Sequence, residues 1–156
     1  MADDPAVREV MTAPVATLRP DQPVTEAADE LADRKIAAMP VVDGSGKLVG
    51  LLRDDDLVAS EARVHAPTFF NFLGLGVPFP GEMAHLEKEL KKIAGATVGD
   101  VMQSDPPTIG ADASLEDLAT LMYDKKLSHV PVVDVTGDLV GIVARGDVVR
   151  FIARTT

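Results

Sequence analysis

The chain has 156 residues, 46% apolar and 26% charged, the profile of a soluble globular protein with room for one ordinary domain or two very small ones. Its 25 Asp and Glu outnumber 15 Lys and Arg, and the formal charge of -10 argues against nucleic-acid or membrane binding, which depends on cations that neutralise phosphate. Cysteine is absent, which excludes disulfides, thiolate catalysis and thiolate metal sites. The acidic start Met1-Ala2-Asp3-Asp4-Pro5 has no apolar stretch behind it, and no run is long enough to span a bilayer. A cytoplasmic protein without a signal peptide is therefore expected.

Along the chain, one ordered set of residues occurs twice. Val10-Met11 returns as Val101-Met102, and Pro40-Val41-Val42-Asp43 as Pro131-Val132-Val133-Asp134. Leu48-Val49-Gly50 returns as Leu139-Val140-Gly141, and Asp56 as Asp147, each at an offset of 91 positions. Laying 7–58 on 98–149 without a gap gives 18 identities in 52 positions. Chance would give about three or four at ordinary residue usage. The chain is a duplication.

Each copy begins with a short extended segment containing Thr17 or Thr108. A helix follows, with Val24, Ala27, Ala28, Leu31 and Ala32 on one stripe in the first copy. Leu115, Leu118, Ala119 and Met122 form the matching stripe in the second. Pro23 suits the first turn of one helix, and Ser114 with Asp117 resembles a capping box at the other. Two apolar runs come next, Met39–Val42 and Leu48–Leu52, around the turn Asp43-Gly44-Ser45-Gly46. The second copy repeats them as Val130–Val133 and Leu139–Val143 around Asp134-Val135-Thr136-Gly137. Near-continuous apolar runs split by a Gly-containing turn predict a hairpin buried on both faces. A further helix is expected to start near Asp54 and Arg145. Fifty residues bury too little core to stand alone, so the copies are expected to pack on each other.

Between them, about residues 59–97 have no counterpart in the repeat and carry Phe69, Phe70, Phe72 and Phe79. A Gly/Pro-rich stretch, Gly74 to Gly81, precedes a helical pattern with Met83, Leu86, Leu90 and Ile93 on one stripe. This helical, Phe-rich insertion either packs against the tandem or offers a surface for self-association or a partner, since aromatics concentrate at interfaces.

The order Val-Met, Thr, helix, Pro-Val-Val-Asp, Leu-Val-Gly, then Asp at a helix start resembles the cystathionine β-synthase-type (CBS) domain, twice. The resemblance covers 7–58 and 98–154 and is similar to stand-alone CBS-pair proteins. It implies an α/β (α+β) fold in which two β-α-β-β-α repeats pack as a pseudo-twofold pair with clefts between their sheets. It also implies a regulatory role, an adenosine-containing ligand such as AMP, ADP, ATP or S-adenosylmethionine, no required cofactor, and a homodimer acting on an unknown regulated protein.

The family's ribose signature, Gly-h-h-(Thr/Ser)-x-x-Asp with h hydrophobic, is only partly kept. The copies read Gly50-Leu51-Leu52-Arg53-Asp54-Asp55-Asp56 and Gly141-Ile142-Val143-Ala144-Arg145-Gly146-Asp147. Both retain the Asp, and neither retains the hydroxyl. Asp147, Arg145 and His129 make the second copy the better-equipped half, because a helix N-terminus beside a cation favours an anion. Thr108, Ile109, Val130 and Pro131 complete that candidate cleft. Asp56, Arg53, Thr17, Leu18 and Met39 are the candidates from the first copy. Asp56 and Asp147 equally suit helix caps. Three consecutive carboxylates, Asp54 to Asp56, would repel a polyphosphate unless Arg53 or a metal offsets them; a divalent-metal site there is a third, less favoured reading, because adjacent residues at a helix start diverge.

Enzyme readings find no support. His65, His85 and His129 have no ligand spacing, and neither a nucleophile elbow nor a Walker-type loop is present. Two functions lead: an adenine-nucleotide sensor, and a ligand-free dimerisation and docking scaffold whose clefts have degenerated.

Overall fold

The structure is a computed structural model that describes residues 4–60 and 96–155. In chain order its elements are a 3-10 turn at Val7–Glu9, α1 (Val24–Arg34), β1 (Ala38–Val42), β2 (Leu48–Arg53) and a helix α2 over 54–60. The second copy follows with α3 (Val98–Val101), β3 (Gln103–Ser104), β4 (Ile109–Gly110), α4 (Leu115–Lys125), β5 (His129–Val133), β6 (Leu139–Ala144) and α5 (Arg145–Thr155). The Phe cluster and the Met83–Ile93 stripe of the insertion lie outside the described residues.

Each pair of apolar runs forms the expected antiparallel hairpin. Met39 pairs with Leu52 and Val41 with Gly50; Val130 pairs with Val143 and Val132 with Gly141. Both hairpins shift register at the same place, between Val41 and Val42 and between Val132 and Val133. The turns are built alike. Asp43 Oδ1 accepts the Ser45 and Lys47 amide N–H groups at 2.9 and 3.0 Å, and Asp134 Oδ1 does the same for Thr136 and Asp138. Gly46 and Gly137 close them at φ near +83° and +84°, where a side chain would be strained. Pro40 sits inside a strand without an N–H to donate, and its carbonyl accepts Leu18 N–H at 2.9 Å. The leading segments run parallel to the hairpins: Leu18 bridges Val41, and Ile109 pairs with Val132.

The helices bury the predicted stripe only in part. Ala27, Leu31, Leu118 and Met122 are buried, Val24, Ala28 and Leu115 are half-buried, and Ala32 and Ala119 are exposed. Pro23 stands at the N-cap of α1, one position ahead of the first turn. Ser114 Oγ caps α4 by accepting Asp117 N–H at 3.0 Å. Lys35 and Lys126 end α1 and α4 in the left-handed conformation, and the next amides bond back to Leu31 and Met122 carbonyls at 3.1 and 2.9 Å.

The two copies exchange their leading arms. Val7, from the first copy, is fully buried in the core of Ile109, Leu118, Met122, Val130, Val132, Val143 and Val148. Val98, its equivalent, is fully buried among Leu18, Ala27, Leu31, Met39, Val41 and Leu52 of the first copy. Burying a valine contributes about 1.5–3 kcal/mol, so each repeat needs the other's arm. The arms also extend the sheets: β3 pairs with β2 through Gly50 and Leu51, and Thr12 pairs with Ile142. Most backbone cross-contacts recur between the positions 91 residues away, as Val7 N–H on the Ala113 carbonyl and Val98 N–H on the Gln22 carbonyl do, which describes a pseudo-twofold pair.

Candidate functional site

Asp56 and Asp147 both stand at the third position of a helix, where a carboxylate can reach back to the amide of the residue that precedes the helix. Asp56 Oδ2 accepts Arg53 N–H at 3.0 Å, and Asp147 Oδ2 accepts Ala144 N–H at 2.8 Å. Neither aspartate is the N-cap residue that the sequence suggested; both cap from the third helical position by accepting the preceding residue's amide. The other oxygens differ. Asp147 Oδ1 takes Arg150 Nη2 at 2.5 Å, whereas Asp56 Oδ1 lies 3.7 Å from its own Arg53 Nη2. Arg150 was not among the sequence candidates, although its spacing of three from Asp147 on a helix was visible.

Charged groups of both copies act on His129. This half-buried ring is flanked electrostatically by Asp54 and Arg53 from the first copy and by Asp147 and Arg145 from the second. Burial holds its pKa below the ordinary imidazole value; Asp54 and Asp147 pull it up, and Arg53 and Arg145 push it down. Ser128 Oγ lies 2.9 Å from His129 Nδ1, and the Ser128 carbonyl accepts Arg145 N–H at 2.9 Å. Ser128 escaped the sequence reading; comparison with its counterpart Ala37 was the available signal.

The cations are engaged differently. Arg53 Nε is buried and has no hydrogen-bond partner. An unpaired buried N–H of a charged group is costly and marks a place where an acceptor would be stabilised. Arg145 is exposed and also lines a groove of about 780 Å³ between α4 and α5, with Met122, Tyr123, Leu127, Val148 and Val149. Asp54 Oδ1 accepts Asp55 N–H at 2.7 Å, and among the described residues no three His, Cys, Asp or Glu come together as metal ligands.

The remaining candidates fall into two groups. Thr17 and Thr108 are exposed on the leading segments. Leu18, Met39, Ile109, Val130 and Pro131 are buried, so their side chains belong to the cores. Leu18 backbone groups are committed to the sheet, its N–H to Pro40 and its carbonyl to Val42.

Comparison with known proteins agrees with this architecture. A family model described as "CBS domain" matches residues 7–62 and 98–154. The chloroplastic CBS domain-containing protein CBSX1 of Arabidopsis thaliana is 36% identical over 134 residues, covering 85% of this chain and 57% of its own length. The chain therefore spans just over half of that relative. The crystal structure of Arabidopsis CBSX2 in complex with AMP is 30% identical with a TM-score of 0.75, covering 96% of this chain and 97% of that one. The CBS domain pair of protein MJ0100, solved with 5-methylthioadenosine and S-adenosyl-L-methionine, is 24% identical with a TM-score of 0.70 and covers 97% and 98% of the two chains, a likeness of fold. No helix among the described residues is long and apolar enough to cross a membrane. The chain belongs to the CBS-domain family, as a tandem pair of repeats.

Proposed function

We propose that the chain is a regulatory, non-catalytic module that binds an adenosine-containing ligand, AMP foremost among AMP, ADP, ATP and S-adenosylmethionine, in the cleft where the repeats meet. The observation that carries this reading is the convergence on His129 of charged groups from both copies, with the buried Arg53 Nε–H left unpaired. Asp147 offers its carboxylate to ribose hydroxyls, Arg53 and Arg145 attract phosphate, and the neutral His129 ring offers it a hydrogen bond. Thr108 and Ile109 in the second copy, and Thr17 and Leu18 in the first, border the adenine edge. The AMP complex of CBSX2, at 30% identity, supports the ligand class. The acidic run Asp54-Asp55-Asp56 favours a monophosphate over a triphosphate by like-charge repulsion.

The module acts as a homodimer that transmits ligand binding to a regulated protein. Val58 and Val149, equivalent positions on α2 and α5, are 69% and 63% exposed, and Tyr123 on the second copy is 84% exposed. Large exposed apolar side chains on equivalent faces suit a symmetric association.

A second reading, a scaffold with degenerate clefts, is favoured by one observation. Both Asp147 oxygens already hold hydrogen-bond partners, and Arg53 and Ala144 replace the family hydroxyl. Thermal unfolding with AMP, ADP, ATP and S-adenosylmethionine, with and without magnesium, separates the two. A ligand at 100 times its dissociation constant stabilises by about 2.7 kcal/mol. A rise in melting temperature with AMP is expected; none with any ligand at millimolar concentration leaves only the scaffold.

A further inference from the structure

Lys47 and Asp138 occupy the same position of the two repeats and touch each other. Lys47 Nζ lies 2.6 Å from Asp138 Oδ1, and the two residues form an antiparallel bridge across a separation of 91. In a twofold arrangement a position meets its own equivalent only on the axis. Most of the other exchanged contacts come as reciprocal pairs off the axis. Val7 N–H bonds Ala113 carbonyl as Val98 N–H bonds Gln22 carbonyl, both at 2.8 Å. Ala6 bridges Ser114 as Pro23 bridges Thr97.

Those off-axis contacts cannot tell the repeats apart. They use backbone groups or residues that both copies share, such as Val7 and Val98. The exchanged ion pair Arg8–Asp112 is also neutral in this respect. If first repeats paired with first repeats, two Arg8 would face two Asp21; if second paired with second, Gly99 would face Asp112 with no pair. The total equals that of two normal chains. The axis is different. Pairing like with like would set Lys47 against Lys47 and Asp138 against Asp138, losing two attractions and adding two repulsions. Asp134 lies near Lys47 as well, so the second of these would gather four carboxylates; at the first, the Asp43 of each copy offsets part of the repulsion between the two lysines.

We propose that the Lys47–Asp138 pair specifies which surface each repeat accepts: it directs a first repeat onto a second repeat and away from the like repeat of another chain. The need is physical. Each repeat must borrow an arm to complete its core, and the insertion leaves the two repeats joined by a long connection. Without a discriminating contact, arm exchange between chains would form the same cores.

The test uses full-length chains throughout. Lys47→Asp should lower the urea midpoint of unfolding, and Lys47→Asp combined with Asp138→Lys should restore it; additive losses overturn the proposal. Next, a chain carrying Lys47→Asp and a differently tagged chain carrying Asp138→Lys are unfolded, mixed and refolded together, then counted by native mass spectrometry. Each alone has like charges at its axis, while exchange of repeats between the two restores opposite charges at both axes. Two-chain mixed species should exceed single-kind species by about fivefold over a wild-type mixture refolded in the same way. No mixed species, or a ratio equal to the wild-type mixture, overturns the proposal.

Discussion

Met11 lays its thioether over Gly141 of the other repeat, so closely that a Cβ on Gly141 would lie 2.6 Å from the sulfur and 3.0 Å from the Thr12 carbonyl. Met102 packs on Gly50 in the same way. The backbone carbonyl cannot yield without breaking the Thr12–Ile142 pairing, in which Ile142 N–H bonds Thr12 at 3.1 Å. Gly141→Ala is therefore expected to destabilise by about 1–3 kcal/mol through overpacking, read as a lower urea midpoint at unchanged slope. Gly44→Ala, with nothing within 4 Å, should stay within about 0.5 kcal/mol of wild type. Equal effects would show that the arms do not dock as described.

The strand register pairs a small residue with a large one in both repeats, but in opposite order. Ala38 faces Arg53, and His129 faces Ala144. Ala144 is half-buried at the position where the family signature carries a hydroxyl. Ala144→Ser supplies that hydroxyl with the smallest change in volume. A single new hydrogen bond is worth about 1 kcal/mol, so AMP affinity should rise about fivefold by calorimetry. An unchanged or weaker affinity would place the ligand elsewhere.

His129 also sets a pH dependence. Burial lowers its folded-state pKa beneath the unfolded value, so below about pH 6.5 the unfolded chain binds more protons. Stability is then fully present above that value and declines as pH falls toward the folded pKa. The melting temperature should fall between pH 7 and 5, and His129→Asn should flatten this segment. The carboxylates Asp43, Asp134 and Asp138 act lower. Hydrogen bonds from Ser45, from Thr136 and from Lys47, respectively, depress their pKa values, so their contribution is lost only as pH drops below about 4. A profile through pH 7 to 5 that is identical in His129→Asn would assign the slope to other groups.

Asp147 is asked to do two things, and they separate experimentally. Losing its bond to Ala144 N–H should cost the ligand-free protein about 0.5–2 kcal/mol, as for other helix caps. Asp56→Ala should cost a similar amount, because its bond to Arg53 N–H is the same. The ligand-induced shift, measured from each variant's own ligand-free melting point, should vanish for Asp147→Ala and persist for Asp56→Ala.

The hairpins were legible because Pro-Val-Val-Asp and Leu-Val-Gly are continuous apolar runs around turns whose Asp and Gly have local work to do. The helices were legible from the Leu31 and Met122 stripes, though Ala32 and Ala119 face water. The arm exchange was not legible. Val10-Met11 and Val101-Met102 read the same whether each folds onto its own repeat or onto the other, since periodicity carries no identity of partner. The retained aspartates were visible as sequence, but their bonds to Arg53 and Ala144 amides and to Arg150 depend on helix geometry. Nor does any local pattern mark Arg53 Nε as buried and unpaired, because burial of a single atom depends on the folded packing around it.

Isothermal titration of the full chain with AMP, repeated on Asp147→Ala and Asp56→Ala, tests the central claim most directly. Saturable binding with one site per chain is expected, abolished by Asp147→Ala and retained by Asp56→Ala. No heat at millimolar AMP, or a greater loss in Asp56→Ala than in Asp147→Ala, would contradict it.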